Sequence, residues 1–98
     1  MAAFNRFEDI IAWQKARNLC KLINGYTQKE KFSKDFKLIS QIKSSSGSAM
    51  DNIAEGFERG GNKEFSQFLS ISKGSAGETR SQLYRALDNE YISEIEFQ

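Results

Sequence analysis

The chain contains no histidine, no proline and only one cysteine. Without an imidazole there is no His-based general acid–base catalysis, no Ser-His or Cys-His nucleophile pair, and none of the commonest zinc ligand. The Glu-x-x-His pairs by which four-helix bundles hold two irons are excluded as well. The lone Cys20 cannot form an internal disulfide and fits a reducing compartment. The lack of proline leaves helices free to run without interruption. No run reaches the roughly 18 apolar residues of a membrane span, and the first ten residues have neither a basic n-region nor an apolar h-region. No membrane association is expected, and a cytoplasmic location is. No cofactor or metal is called for either.

What is present is 98 residues, 39% hydrophobic and 28% charged, with eight phenylalanines. That composition predicts a single soluble domain over residues 1–98, built from helices with aromatic anchors. A chain of this length buries roughly 60–65% of its unfolded surface, close to the lower limit for an independent core. The net charge of +1 hides an asymmetry. Residues 1–50 carry nine Lys/Arg against four Asp/Glu (+5), and residues 51–98 carry five against nine (−4). The basic excess peaks at Lys29, Lys31, Lys34 and Lys37, with Lys43 just beyond. A nucleic-acid binder needs such a patch, and a solvated loop leading into a helix has the same signature.

Helical periodicity covers most of the chain. Ala12, Ala16, Leu19, Ile23 and Tyr26 repeat at steps of four and three, widened by Trp13, Cys20 and Leu22, and predict a helix from about Glu8 to a C-cap near Gly25. Trp13 and Cys20 are expected in the core. A second helix is predicted from an N-cap at Ser33 to about Arg59, with Ile39, Ile42, Ser46, Ala49, Ile53 and Phe57 on one stripe. Its Ser44–Ser48 segment reads as loop by propensity, but the stripe stays in phase on both sides and predicts helix. After a turn at Gly60-Gly61, a third helix capped by Asn62 runs to about Asn89. Its inward set is Phe65, Phe68, Leu69, Ser72, Ala76, Thr79, Leu83, Ala86 and Leu87. With the turn centred between the two glycines, Gly47 falls opposite Gly74 and Ser46 opposite Ser75, which predicts close backbone approach there. Gly60-Gly61 lacks the Lys-Ser/Thr and preceding strand of a phosphate loop, so its role is turn chemistry. At Ser93 a capping box (Ser93 with Glu96) and a hydrophobic staple (Ile92 with Phe97) begin a fourth helix that ends almost at once. The expectation is that most of this helix is missing from the chain; the alternative is that a partner covers the open face.

A polar stripe accompanies the apolar one on the second helix: Gln41, Ser45, Ser48, Asn52, Glu55 and Arg59. Glu78, Gln82, Arg85 and Asn89 form a matching set on the third. On a lone bundle such stripes face water. Between packed helices or subunits they must satisfy one another, which fixes register more than it adds stability. Gln41, Asn52, Glu55, Arg59, Glu78, Gln82 and Arg85 are therefore the candidate helix–helix or subunit contacts.

These residues resemble a known family. Trp13-Gln-Lys-Ala16, Leu38, Gln41, Ser48, Asn52-Ile-Ala-Glu-Gly56, Arg59, Phe65, Phe68-Leu69, Gly74-Ser75, Glu78 and Gln82-Leu83 look like the 23S rRNA intervening-sequence proteins, small bacterial four-helix-bundle proteins. The resemblance covers about residues 7–97. It implies a ring-like homopentamer and kinship with the accessory variability determinant of diversity-generating retroelements, a basic barrel that binds nucleic acid and a reverse transcriptase. It attaches no enzymatic activity. Three features depart from the family pattern. Ser44 and Ser45 stand where a basic residue and alanine are usual, and Met50 where proline is frequent. The chain is near-neutral where the retroelement accessory is strongly basic. Most of the family's fourth helix is missing.

The fold expected is all-α, an antiparallel up-down four-helix bundle with the fourth helix truncated. The function expected is that of a non-enzymatic, homo-oligomeric binding scaffold associating with RNA or DNA. Phosphate contacts would fall on Arg6, Lys15, Arg17, Lys21, Lys29, Lys31, Lys34, Lys37 and Lys43, reading shape and backbone rather than sequence. The alternative is an adaptor that accepts a protein partner's helix, with no nucleic-acid role. Carboxylate-only enzyme chemistry at Glu55 and Glu78 lacks the histidine, metal motif or Gly-rich loop that would support it.

Overall fold

Asp35 starts the central element of the structure. Its carboxylate accepts a hydrogen bond from the Leu38 backbone N–H at 3.0 Å, and the helix that follows runs over Phe36–Glu58. In this computed structural model, which describes residues 4–97, that helix is the second of four. The others are α1 (Ile11–Tyr26), α3 (Asn62–Asp88) and the single turn α4 (Glu94–Phe97), with the central helix as α2. Short 3-10 turns at Phe7–Asp9 and Phe32–Lys34 precede α1 and α2. No strand occurs among the described residues, and none of the helices is long and apolar enough to cross a membrane.

Helix α2 is covered on two sides, by α1 and by α3, whereas α1 and α3 scarcely meet. Its apolar residues feed two clusters. One gathers Ile23, Phe32, Leu38, Ile42, Ala86 and Ile92; the other joins Ile10, Trp13 and Ile53, with Phe7, Phe57, Phe65 and Leu69 packed around them. Trp13 is buried there, its ring set edge-on to Phe7 at 5.1 Å. Between the two clusters lies a section of small and hydroxyl side chains: Ser45, Ser46, Ala49, Ser72 and Thr79, all buried. The Ser44–Ser48 segment is helical, as its phase predicts. Its hydroxyls find local acceptors, Ser46 Oγ donating to the Ile42 carbonyl at 2.8 Å, so they need not compete for the helix's own N–H groups.

The caps differ from expectation. Ser33 does not cap α2; its hydroxyl donates to the Glu30 carbonyl at 2.8 Å, leaving Asp35 at the N-cap. Helix α1 starts at Ile11, three residues late, because Ile10 adopts extended backbone and turns its side chain into the second cluster. It ends at Tyr26 with Thr27, not Gly25, as the C-cap, and the Thr27 hydroxyl donates back to the Ile23 carbonyl at 3.0 Å. Gly61, not Asn62, is the N-cap of α3. The end of α3 is closed by a backbone pair, Glu90 N–H to Leu87 O and Tyr91 N–H to Ala86 O, with Glu90 held in the left-handed region at φ 59°. The expected capping box closes α4: Glu96 N–H donates to Ser93 Oγ, and Ser93 N–H donates to the Glu96 carboxylate. Ala12, Leu22 and Ala76, expected inside, are exposed.

The predicted approach of Gly47 to Gly74 is also corrected. A Cβ built on either meets nothing within 4 Å. Ser75 meets Ser48 instead, at 2.9 Å. The close approach lies two turns away, at Gly56, where a Cβ would stand 2.5 Å from Phe68 Cβ and 3.2 Å from the Phe65 ring. Gly56→Ala should therefore destabilise the chain by about 1–3 kcal/mol through overpacking. Gly47→Ala and Gly74→Ala should each stabilise it by up to about 1 kcal/mol, through helix propensity alone. Urea midpoints of the three variants, compared with the parent, check the contrast.

Candidate functional site

Three sets of residues bear on function: the polar stripes of α2 and α3, the basic residues of the N-terminal half, and an open groove between α1 and α3.

The polar stripes meet along the α2–α3 seam, where partner numbers fall along α3 as they rise along α2. Arg85 Nη1 donates to Gln41 Oε1 at 3.2 Å. One level inward, Ser45 Oγ donates to Gln82 Oε1 at 2.6 Å and lies 2.7 Å from Thr79 Oγ1. Gln82 Nε2 donates in turn to the Glu78 carboxylate at 3.2 Å. The amide orientation follows from this chain, because the flipped amide would turn its oxygen towards the carboxylate. Ser72 Oγ donates to the Ala49 carbonyl at 2.5 Å, a direct tie from side chain to facing backbone. Every buried side-chain N or O among the described residues has a partner. In the interior this is the condition under which a polar group does not cost folding energy.

Of the seven candidate contact residues, Gln41, Gln82 and Arg85 reach across the seam and Glu78 joins them through Gln82. Asn52 stays on its own helix, donating to the Ser48 carbonyl and hydroxyl. Glu55 and Arg59 pair with each other at 3.0 Å, both more than half exposed, and Arg59 also lies over the Phe68 ring at 5.1 Å. Sequence reasoning placed Ser72 and Thr79 on the inward stripe without giving their hydroxyls a role. The signal was available, as polar residues at helical spacing inside an apolar set opposite a serine-rich segment.

The basic residues are all exposed. Arg6 lies 3.6 Å from Glu8 and 3.7 Å from Asp9, and Lys29 pairs with Glu96 at 2.8 Å. Arg17 leans over the Trp13 ring at 5.9 Å. Lys15, Lys21, Lys31, Lys34, Lys37 and Lys43 make no ion pair among the described residues. Lys31, Lys34 and Lys37 gather at the α1–α2 connection, Lys43 lies about two turns into α2, and Lys15 and Lys21 sit on α1.

The groove follows from α1 and α3 packing on α2 but not on each other. It is about 290 Å³, walled by Ala12, Ala16 and Leu19 of α1 and Ala76 of α3, and floored by Ala49, Ile53 and Ser72. Lys15 and Lys73 stand on its opposite walls. α4 lies near the other end of α1. The Tyr26 hydroxyl donates to the Glu96 carbonyl at 3.0 Å, Lys29 holds the Glu96 carboxylate, and Phe97 packs on Tyr84 at 4.5 Å. Lys29 keeps the Glu96 carboxyl below its ordinary range. Folded-state charge on Glu96 is therefore favoured near neutrality, and its contribution is lost as pH falls through that lowered value.

Two further contacts are structural. The Leu38 N–H and then the Tyr91 hydroxyl, 2.8 Å away, hold the Asp35 carboxyl below its ordinary range and tie the chain after α3 to the start of α2. Cys20 is half-buried with Sγ 3.2 Å from the Ser46 carbonyl, and burial pushes its thiol up, away from a reactive thiolate. No group of three His, Cys, Asp or Glu side chains suited to a metal ion occurs among the described residues. For the seam, Gln82→Ala should cost about 0.5–1.5 kcal/mol, since it removes one hydrogen bond of Ser45 while the hydroxyl keeps Thr79 and the Ile42 carbonyl as partners. A Ser45→Ala/Gln82→Ala double-mutant cycle in urea should recover part of that loss.

No curated protein and no solved structure matches the chain. A family model described as the 23S rRNA-intervening sequence protein matches residues 8–98. With nearly its whole length matched, the chain belongs to the 23S rRNA-intervening sequence protein family.

Proposed function

We propose that this protein is a non-enzymatic binding scaffold whose three long helices hold open a seat for one more helix. The observation that carries this reading is the groove between α1 and α3, lined mostly by Ala12, Ala16, Leu19, Ala49, Ile53 and Ala76, with Lys15 and Lys73 on its walls. A helix laid there would contact α1 and α3 together and bury their exposed alanines, as amphipathic helices do in hydrophobic grooves. The complete architecture on this reading is an antiparallel up-down four-helix bundle, with α4 the first turn of its fourth position. Copies of the chain would further associate side by side, as a ring of five by the family likeness. The exposed ends of the polar stripes, at Glu55, Arg59, Glu78 and Arg85, would then meet a neighbour.

A second reading is association with RNA or DNA. It is favoured by Lys31, Lys34 and Lys37, which cluster at one connection, are exposed and lack ion-pair partners among the described residues. Such a surface would grip phosphate without reading bases.

Parallel anisotropy titrations separate the two. A labelled, uncharged amphipathic helix should bind with little dependence on salt, and labelled hairpin RNA and duplex DNA should stay flat to tens of micromolar. A steep negative salt slope with nucleic acid, near 0.9 per phosphate neutralised on B-DNA, together with no capture of the helix, would hand the function to the second reading. The assembly is tested by Glu55→Ala. Within one chain its exposed pair with Arg59 is worth about 0.5 kcal/mol at most. An unchanged assembly mass and melting temperature would remove Glu55 from any subunit contact.

A further inference from the structure

Helix α2 has an outer face as well as a buried one. Phe36, Ser40 and Lys43 follow one another there at steps of four and three, with Lys37 and Ser44 beside them. All five are exposed. At about 100° per residue they lie on the side of α2 opposite Ala49 and Ile53, which floor the groove.

Phe36 is the most exposed of the described phenylalanines, at 79%, and joins no aromatic pair among the described residues. A single apolar side chain in water is ordinary. Phe36 differs in being bracketed by cations. Lys31 and Lys34 precede it in the connection, and Lys37 and Lys43 follow it on the helix, all exposed and none in an ion pair among the described residues. The acids of this segment leave them free. The Asp35 carboxylate is taken up by the Leu38 N–H and the Tyr91 hydroxyl, and Glu30 forms no ion pair among the described residues.

An open ring face among lysines and hydroxyls matches a base and the phosphates on either side of it. A duplex keeps its bases stacked on each other, so it could offer this face phosphate but no ring. A bilayer would find one ring to bury and, at the other four positions, only lysine and serine. Resting on the nucleic-acid reading, we propose that the outer face of α2 binds unpaired nucleotides of a single strand, with one base stacked on Phe36. Lys37 and Lys43 neutralise the flanking phosphates, and the Ser40 and Ser44 hydroxyls donate to phosphate oxygens. Lys31 and Lys34 hold the strand where it continues past the start of the helix. Stacking tolerates every base, so the face discriminates paired from unpaired strands and not one sequence from another. Being opposite the groove, it leaves the helix seat free.

The test uses three labelled probes: an oligothymidylate of about ten nucleotides, within the range that single-strand binders cover, an abasic strand of the same length, and a duplex. In low salt the oligothymidylate should bind at least about fivefold tighter than either of the others. Phe36→Ala should abolish its advantage over the abasic strand and Phe36→Trp should keep it, with urea midpoints unchanged in both variants. Lys37→Gln with Lys43→Gln should lower the salt slope by about 1.4, at 0.7 per phosphate on a single strand. Equal, salt-dependent binding of the normal and abasic strands would overturn the stack and leave the phosphate reading standing. No binding of any probe would remove the nucleic-acid reading itself. An advantage that survives Phe36→Ala would place the base elsewhere and overturn the proposal. So would capture of phosphatidylserine vesicles through Phe36 with all three probes ignored, which would make the face a membrane surface.

Discussion

Ser45 is the contact on which the arrangement of helices depends. It sits on the buried face of α2, 3% exposed, with its hydroxyl held between Thr79 and Gln82 of α3. An apolar contact at this place would tolerate sliding by a fraction of a turn. A hydroxyl with named partners resists this, because a shifted register loses its bonds to Thr79 and Gln82 and leaves only the Ile42 carbonyl of its own helix. Ser72 on the Ala49 carbonyl repeats the constraint from the other helix, one layer along. The seam costs little to form, since each member is satisfied, and much to misalign.

With register set there, the two apolar clusters fall at opposite ends of α2. Phe32, Leu38 and Ile42 anchor one end and Trp13 and Ile53 the other. Gly56 lets Phe68 close the far end of the hairpin. Helix α1 is left attached to α2 along one face only, and its other face looks across the groove at α3. The open face is thus a consequence of how the three helices share α2. The basic residues elsewhere are spread over the first turn, α1, the connection and α2, and three of the nine, Arg6, Arg17 and Lys29, are already engaged with carboxylates or an aromatic ring.

Much of this was legible from the sequence, and the limits are physical. Helices were readable because a stripe kept its phase through Ser44–Ser48 even where propensity argued for loop. The capping box at Ser93 and Glu96 was readable because both its bonds are local. Caps chosen by competition were not: Ser33 and Asp35 are both good N-cap residues, and beside its local bond from Leu38 Asp35 has a second from Tyr91, 56 positions away. The register of α2 against α3 was foreseen within a few residues, but not the point of closest approach, because Gly56 faces the large Phe68 and Phe65 rather than another small residue. The groove's small residues were assigned to the core, since an alanine on an apolar stripe reads the same whether its neighbour is packed or absent. Lys73 escaped notice because it lies in the acidic half of the chain, and only the fold brings it opposite Lys15.

Native-state hydrogen exchange, followed amide by amide, tests most directly whether the chain is a three-helix body with an uncovered α1–α3 face. The account predicts the slowest amides in the middle of α2, around Ser45 to Ile53, and in the α3 residues that tie to it. Helix α1, held by one face, should open through smaller fluctuations and exchange sooner. Protection of α1 equal to that of α2 would contradict the account, since a helix packed on one side only could not achieve it.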